Sequence, residues 1–274
     1  MTIRLPAVAG VFYEGRREPL ERQVRDCLQA NLPSVARVPF IGAVVPHAGL
    51  MYSGHVAAAV YDHLEIPKRL IILCPNHTGA GRSAAINCSG AWRTPLGDVA
   101  IDSDLAADLC REAPSLQDDT VAHEREHSLE VQLPFLQTMA PDTKFVPICL
   151  KAPRYEVCAE VGGAIARVVG ARRDQGETVG IIASTDLNHY EDQATTLRKD
   201  QVAIDCILAL DPLSLWKSIF EQDISMCGFI PTTTVLIAAK ELGASSARLL
   251  KHATSGDING DYSRVVGYAG CVIA

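Results

Sequence analysis

The sequence predicts a single α/β domain covering residues 1–274, built on a mixed, mostly parallel central sheet flanked by helices. Three observations predict it. Short apolar, β-branched runs alternate with longer segments of helical periodicity along most of the chain. These runs are nearly continuous in their apolarity rather than alternating, which suits strands covered on both faces. Composition agrees: 48% hydrophobic and 21% charged residues is the balance of a packed globular protein. A chain of 274 residues can bury a substantial core, and no internal repeat or low-complexity linker marks a domain boundary.

The expected strands are FIGAVV (40–45), RLIILC (69–74), SAAINC (83–88), KFVPICL (144–150), TVGIIAS (178–184) and RVVGYAGCVI (264–273). Helical periodicity covers 17–31, 53–64, 103–113, 127–139, 155–170, 195–210, 212–220 and 231–243. Asp102 and Ser103 give the third of these a polar start, and the last is opened by Pro231 and closed by Gly243. The stretch SAAINCSGAWRTPLGDVAID (83–102) reads as two strands about an irregular turn, a hairpin appended to the main sheet.

Charge and composition exclude several classes. The formal net charge is -7 and no run of clustered Lys and Arg occurs, so the basic surface that nucleic-acid binding needs is missing. The longest apolar stretches fall far short of the ~20 residues that span a bilayer. Residues 1–13 carry one arginine and a short apolar segment broken by Pro6 and Gly10, without a signal-peptide core, so the expected location is the cytoplasm. Nine cysteines, an odd number with no CxxC pair, argue against a disulfide framework and read mostly as small buried hydrophobes in a reducing compartment.

In open α/β sheets, ligands sit beyond the carboxyl ends of the strands, where loops converge. His47 follows strand 40–45 in VVPHAGLMYSG, His77 follows strand 69–74 in LIILCPNHTGAG, and STDLNHY after strand 178–184 offers Asp186 and His189. Strands thus deliver imidazoles from separate parts of the chain to one crevice, the first two runs halted by Pro46 and Pro75. Two histidines from separate strand ends suit a mononuclear metal site. Cys227, beside Gly228 and just ahead of a helix start where the dipole would favour a thiolate, is the best third ligand. In HEREHSLEVQLPF, His127 opens a helix with Glu126 and Glu130 close by.

Taken singly, each of these residues has a plainer reading. His55, His63 and His252 belong to helix surfaces or a loop without companions, and His123 is little different. Asp186 alone would cap a turn, and Cys227 alone would be core. Their coincidence at strand ends raises the set to a candidate site. The D-x-N-x-D spacing of Asp257, Asn259 and Asp261 imitates a calcium loop, but the twelfth position is Tyr268 rather than a bidentate glutamate, so a tight turn into the last strand is expected.

At these residues the sequence resembles the Memo-like family, the B component of the AmmeMemoRadiSam system. The matching segments are RLPAVAGVFY, VVPHAGLMYSG, LCPNHTG, WRTPLG, EHSLEVQLPFLQ, STDLNHY, MCG and ATSGDINGDYSRVVGYA, in order over nearly the whole chain. The family is similar to class III extradiol ring-cleaving dioxygenases (the LigB superfamily), whose non-haem iron sits on two histidines and a carboxylate. The resemblance implies His47 and His77 as paired metal ligands and Cys227 as the third residue facing the metal. Asp186 and His189 are implied as acid/base or supporting groups, and His127 as a further pocket residue. A thiolate in place of the carboxylate changes charge and softness, so Fe(II) is the first expectation with copper or zinc competing. AMMECR-type and radical-SAM proteins are the implied partners.

Three functions compete at this point. One is a metal-dependent oxidoreductase in which His189, Asp186 and His127 move protons. A second is a metal-independent hydrolase with Cys227 as nucleophile, His189 as base and Asp186 as orienter. The third is a binding or adaptor protein with a vestigial dioxygenase-shaped pocket around a small-molecule or peptide ligand.

Overall fold

Continuous apolarity in the strands has a simple structural cause. In the run 69–75, Ile71 and Leu73 enter one apolar cluster, whereas Leu70, Ile72 and Cys74 enter another on the opposite face of the sheet. Each strand residue therefore meets a hydrophobic layer whichever way its side chain points. The computed structural model describes residues 2–30, 36–151 and 154–274.

Along the chain, β1 (Ile3–Arg4) and α1 (Arg17–Gln29) precede β2 (Gly42–Val45), α2 (Leu50–His63) and β3 (Arg69–Pro75). Next come β4 (Ala84–Ile86), β5 (Ala91–Thr94), β6 (Gly97–Ala100), α3 (Ser103–Glu112), β7 (Gln117–Asp118) and the short α4 (Val121–Glu124). These lead to α5 (Leu133–Met139), β8 (Lys144–Leu150), α6 (Tyr155–Asp174), β9 (Val179–Ser184) and β10 (His189–Glu191). Last are α7 (Gln193–Leu208), α8 (Pro212–Glu221), α9 (Phe229–Glu241), β11 (Ala247–Thr254), the single turn α10 (Gly256–Asn259) and β12 (Val265–Ile273).

The main sheet runs β10-β12-β2-β9-β3-β8-β4-β7, with β11 also paired to β12. At its centre β2, β9, β3 and β8 are mutually parallel. Both flanks are antiparallel, through β12 on one side and β4 on the other, with β4 and β7 parallel at the far edge. The expected preponderance of parallel pairing is therefore confined to the middle, and the sheet is evenly mixed. On one face α3, α6, α7, α8 and α9 bury the first cluster; α1, α2 and α5 cover the second. Because α9 is sandwiched between the sheet and α6, its residues Ile230–Ala239 are all buried.

Several readings of the sequence need correction. The hairpin β5–β6 is not appended to the main sheet but forms a separate three-stranded sheet with β1. No single helix covers 127–139: a 3-10 turn at Glu130–Gln132 precedes α5, and Pro134 sits in the first turn of α5, where its missing N–H costs nothing. His127 accordingly lies in the connection after α4 and opens no helix. The strand β11 has no counterpart in the sequence reading, since ARLLKHAT is a half-exposed edge partner carrying Arg248, Lys251 and His252 and shows no clean alternation. Its His252 has a companion after all, donating from Nε2 to the buried Asp200 at 2.8 Å. His63 is likewise buried at the end of α2, in contact with Arg248, rather than on a helix surface. The first helix ends at Gln29, and Asn31, expected within it, lies outside the described residues.

The close approach of α6 and α9 depends on Gly162. A Cβ there would fall 2.9 Å from the Ile237 side chain and 2.9 Å from the Thr234 carbonyl oxygen. In an isolated helix Gly→Ala gains about 1 kcal/mol. Here Gly162→Ala is expected to lose about 1–3 kcal/mol, because a backbone atom cannot step aside. Urea unfolding of the two proteins measures the sign directly.

Candidate functional site

The strand order decides what meets at the carboxyl rim. Since β9 lies between β2 and β3, the residues just beyond these strands, His47, Asp186 and His77, come from three neighbouring strand ends. Cys227 arrives on the loop before α9, which presses against the end of β9 at Gly228. A Cβ at Gly228 would stand 2.4 Å from Thr185 Cβ and 2.6 Å from the Ser184 carbonyl oxygen, so only glycine admits this approach. The Gly228 amide also donates to Thr185 Oγ1 at 2.9 Å. The ligand atoms of His47, His77 and Cys227 then all lie within 4.8 Å of one another, and Cys227 Sγ is 3.3 Å from His47 Nε2.

Hydrogen bonds set the tautomers. Ser184 Oγ donates its one proton to the Ser128 carbonyl at 2.7 Å and accepts from Gln132 Nε2 at 2.8 Å. Towards His47 Nδ1, 3.0 Å away, it can only accept. His47 therefore carries its proton on Nδ1 and turns the lone pair of Nε2 to the sulfur. The Gln132 amide is itself oriented, because Nε2 also donates to the Pro46 carbonyl at 3.0 Å while Oε1 accepts from the Tyr61 hydroxyl at 2.9 Å.

His77 is held in the same sense by a carboxylate. Its Nδ1 donates to Glu126 Oε1 at 2.9 Å and its main-chain amide to Oε2 at 2.5 Å. Glu126 is fully buried, and Oε1 also accepts from the Ser128 amide at 3.0 Å and hydroxyl at 2.7 Å. Burial opposes its charge, but the hydrogen bond and charge of His77, the Ser128 amide and His127 together hold its carboxyl well below the usual range. Burial lowers and Glu126 raises the His77 imidazole, with the carboxylate prevailing. A histidine whose second nitrogen donates to a carboxylate is the usual support of a metal ligand.

The third ring of the cluster is His127, stacked on His77 with centroids 4.7 Å apart and packed against Phe12 at 4.7 Å. It stands 5.6 Å from the His47 ring. Burial first, then neighbouring imidazoles, lowers the pKa of His47; for His127 the lowering is likewise led by burial, with Glu126 opposing. Both shifts favour the neutral imidazole, the form in which a ring can take part in ligation. A second grouping of possible ligand atoms, His77, Glu126 and His127, shares His77 with the first. Glu130, near His127 in sequence, faces elsewhere: it binds Arg4, the Ala7 and Val8 amides and the Tyr13 hydroxyl, tying down the N-terminal segment.

Asp186 and His189 lie beside this cluster with separate partners. Asp186 Oδ1 accepts from the His47 amide at 2.8 Å and the Ala48 amide at 3.3 Å, and its own amide donates to Cys227 Sγ at 3.3 Å. His189 Nδ1 donates to the Ser225 carbonyl at 2.8 Å, which leaves Nε2 free. The ring nearest Cys227 is therefore that of His47, and no hydrogen bond joins Cys227, His189 and Asp186 into a nucleophile–base–orienter chain. Nor does the helix dipole prevail at Cys227: burial and then Asp186 push its thiol well up, which favours the neutral form.

These groups floor a cavity of about 660 Å³ whose walls include Val11, Phe12, Met51, Tyr52, Tyr190 and Val266. Tyr190 sits at φ 62 in a bulged strand, a conformation costly for a non-glycine residue and one that clusters at ligand sites. Sequence reasoning missed Ser184, Gln132, Ser225 and these walls. A polar STD directly after an apolar run was the one available signal for Ser184; the others act only through tertiary contact. His123, read as plain, is buried against Trp92 at 5.5 Å, and burial lowers its pKa to about 4.

Burial also raises the Asp186 carboxyl to about 6, against the pull of the His47 amide, His189 and the Ala48 amide. Its folded pKa exceeds the unfolded value near 3.9, so its contribution to stability is full below about pH 4 and lost as pH rises through about 6. In chelator-treated protein, wild type should lose roughly 2–3 kcal/mol from this group between pH 4 and 7. Asp186→Asn should flatten that part of the profile, measured by urea unfolding across the range.

The chain matches the family described as Memo-like protein over residues 4–272. It is 44% identical over 280 residues to the MEMO1 family protein MK0963 of Methanopyrus kandleri, covering 98% of each chain. To the MEMO1 family protein MTH_45 of Methanothermobacter thermautotrophicus it is 43% identical over 276 residues, covering 97% of this chain and 99% of that one. Among solved structures, the uncharacterized protein JW3007 from Escherichia coli K12 shares the fold at 12% identity with a TM-score of 0.55, over 85% of this chain and 99% of that one. With a match of that extent to the family and to its archaeal relatives, the chain belongs to the Memo-like protein family.

Proposed function

We propose that this Memo-like protein binds one transition-metal ion on His47, His77 and Cys227 and acts as a non-haem oxidoreductase on a small molecule held in the cavity. The observation that carries the reading is the convergence of two imidazoles and a sulfur within 4.8 Å, each imidazole already holding its proton on the far nitrogen. The donor set fits a metal on its own chemistry. A thiol pushed up by burial and by Asp186 gains its thiolate form from an adjacent cation, and neutral His47 needs no deprotonation to bind one.

Two nitrogens and a thiolate suit Fe(II), the ion the resemblance to class III extradiol dioxygenases implies, and also copper or zinc. Any of these would supply Lewis acidity, and iron or copper an electron as well. The remaining work falls to the chain. His189, with Nε2 free, is placed to take or give a proton; Asp186, poised near 6, is a second acid/base group; His127 and Phe12 close one wall. Action within the AmmeMemoRadiSam system, with AMMECR-type and radical-SAM proteins, follows from the same resemblance and forms part of this reading. No helix among the described residues is long and apolar enough to cross a membrane; a cytoplasmic location is proposed.

A second reading, a binding protein without turnover, is favoured by the mouth of the cavity, where Val11, Met51 and Tyr190 are exposed apolar side chains. Such a protein would capture its partner equally well as wild type and as His77→Ala.

Metal analysis of protein purified without added metal should find one transition-metal ion per chain in wild type and none in His47→Ala or Cys227→Ser; metal-free wild type would sink the proposal. Glu126→Gln, which keeps shape but removes the carboxylate behind His77, should weaken metal binding about 10–100-fold in a competition titration.

A further inference from the structure

We propose that Cys88 and Cys110 form a reversible disulfide, a redox modification site separate from the candidate metal centre. Their sulfurs lie 3.4 Å apart, in mutual contact, although 22 positions separate them in sequence. Cys88 follows β4 and Cys110 sits in the last turns of α3, and both are half-buried, within reach of a small oxidant. The contact is longer than the roughly 2.05 Å of a bonded pair, so bonding draws the two sulfurs closer together. The contrast with Cys74 and Cys149 is instructive. These face each other across neighbouring strands of the sheet, but both are fully buried, and Cys149 already donates to the Pro75 carbonyl at 3.6 Å.

The oxidant is hydrogen peroxide. One sulfur attacks the peroxide oxygen, giving a sulfenic acid and releasing a first water; the second sulfur attacks the first, forming the S–S bond and releasing a second water. Two S–H bonds are lost, two electrons pass to the peroxide, and both protons end in water. Burial and the neighbouring Cys110 push the Cys88 thiol up, which slows the first step near neutral pH, while the contact between the sulfurs favours the second.

The closed loop has a consequence. It encloses the β5–β6 hairpin, whose Trp92 lies under the Arg4 guanidinium at 4.2 Å. Arg4 donates in turn to the His123 carbonyl at 2.8 Å and the Glu126 carbonyl at 2.6 Å. Oxidation would staple the small sheet that backs the segment carrying Glu126 and His127.

The full-length chain, reduced, desalted and exposed to hydrogen peroxide, is analysed by peptide mapping without reductant. The expected product is a Cys88–Cys110 cross-linked peptide lighter by two hydrogens, with Cys74 and Cys149 still alkylatable after unfolding. Tm should rise by about 5 °C or more and return on adding dithiothreitol. Cys88→Ser and Cys110→Ser, small changes at half-buried sites, should each abolish both the cross-link and the Tm gain. The proposal is overturned if peroxide leaves both thiols free, carries either alone to sulfinic acid, or links either to a different cysteine. None of these readouts depends on metal in the pocket.

Discussion

A serine hydroxyl has one proton to give, and in this molecule the proton of Ser184 goes to the Ser128 carbonyl, so that everything else around that oxygen must donate to it. From this follow the tautomer of His47, the direction of its lone pair, and the identity of the sulfur it faces. Ser184 is the last residue of β9 and lies between the strands that deliver His47 and His77. The orientation of the centre is thus written into the middle of the parallel sheet, where backbone pairing leaves little freedom. Replacing that hydroxyl would strand a buried Gln132 amide and a buried imidazole, which is why such networks hold their members in one arrangement.

Charge is arranged to match. Two carboxylates approach the cluster from behind, and their surroundings push them in opposite directions: Glu126, with His77 and the amide and hydroxyl of Ser128 donating to it, stays ionised, whereas Asp186 is pushed up towards neutrality by burial against the pull of two amides and His189. Pairs of titratable groups driven apart in this way are a mark of functional sites. The sulfur of Cys227 lies on the side of Asp186, where an uncompensated negative charge is least welcome, and the proposed cation would reconcile the two demands.

The wall opposite the strands is made by the N-terminal segment, which has little secondary structure of its own. Glu130 satisfies two of its amides, the Tyr13 hydroxyl and the Arg4 guanidinium, while the Arg4 plane covers Trp92. A buried ion pair of this kind adds little net stability but tolerates few alternatives, so it specifies where Val11 and Phe12 stand over the cavity. The same glutamate sits three residues from His127 in sequence and yet serves the scaffold instead of the site.

The sequence by itself determined the layered α/β architecture and the strand ends, and singled out His47, His77 and Cys227 as candidates, because buried strands write themselves as continuous apolar runs and because proline and glycine mark where those runs stop. It did not reveal β11, whose half-exposed residues carry no period, nor the break before α5, where a polar connection interrupts a helical pattern that otherwise continues. Only the tertiary structure decided that β9 lies between β2 and β3, that His77 is backed by Glu126 and His47 by Ser184, that His189 turns to Ser225, and that Cys88 touches Cys110. All of these are meetings between residues distant along the chain, and local periodicity records how each segment buries itself without recording which segment it is buried against.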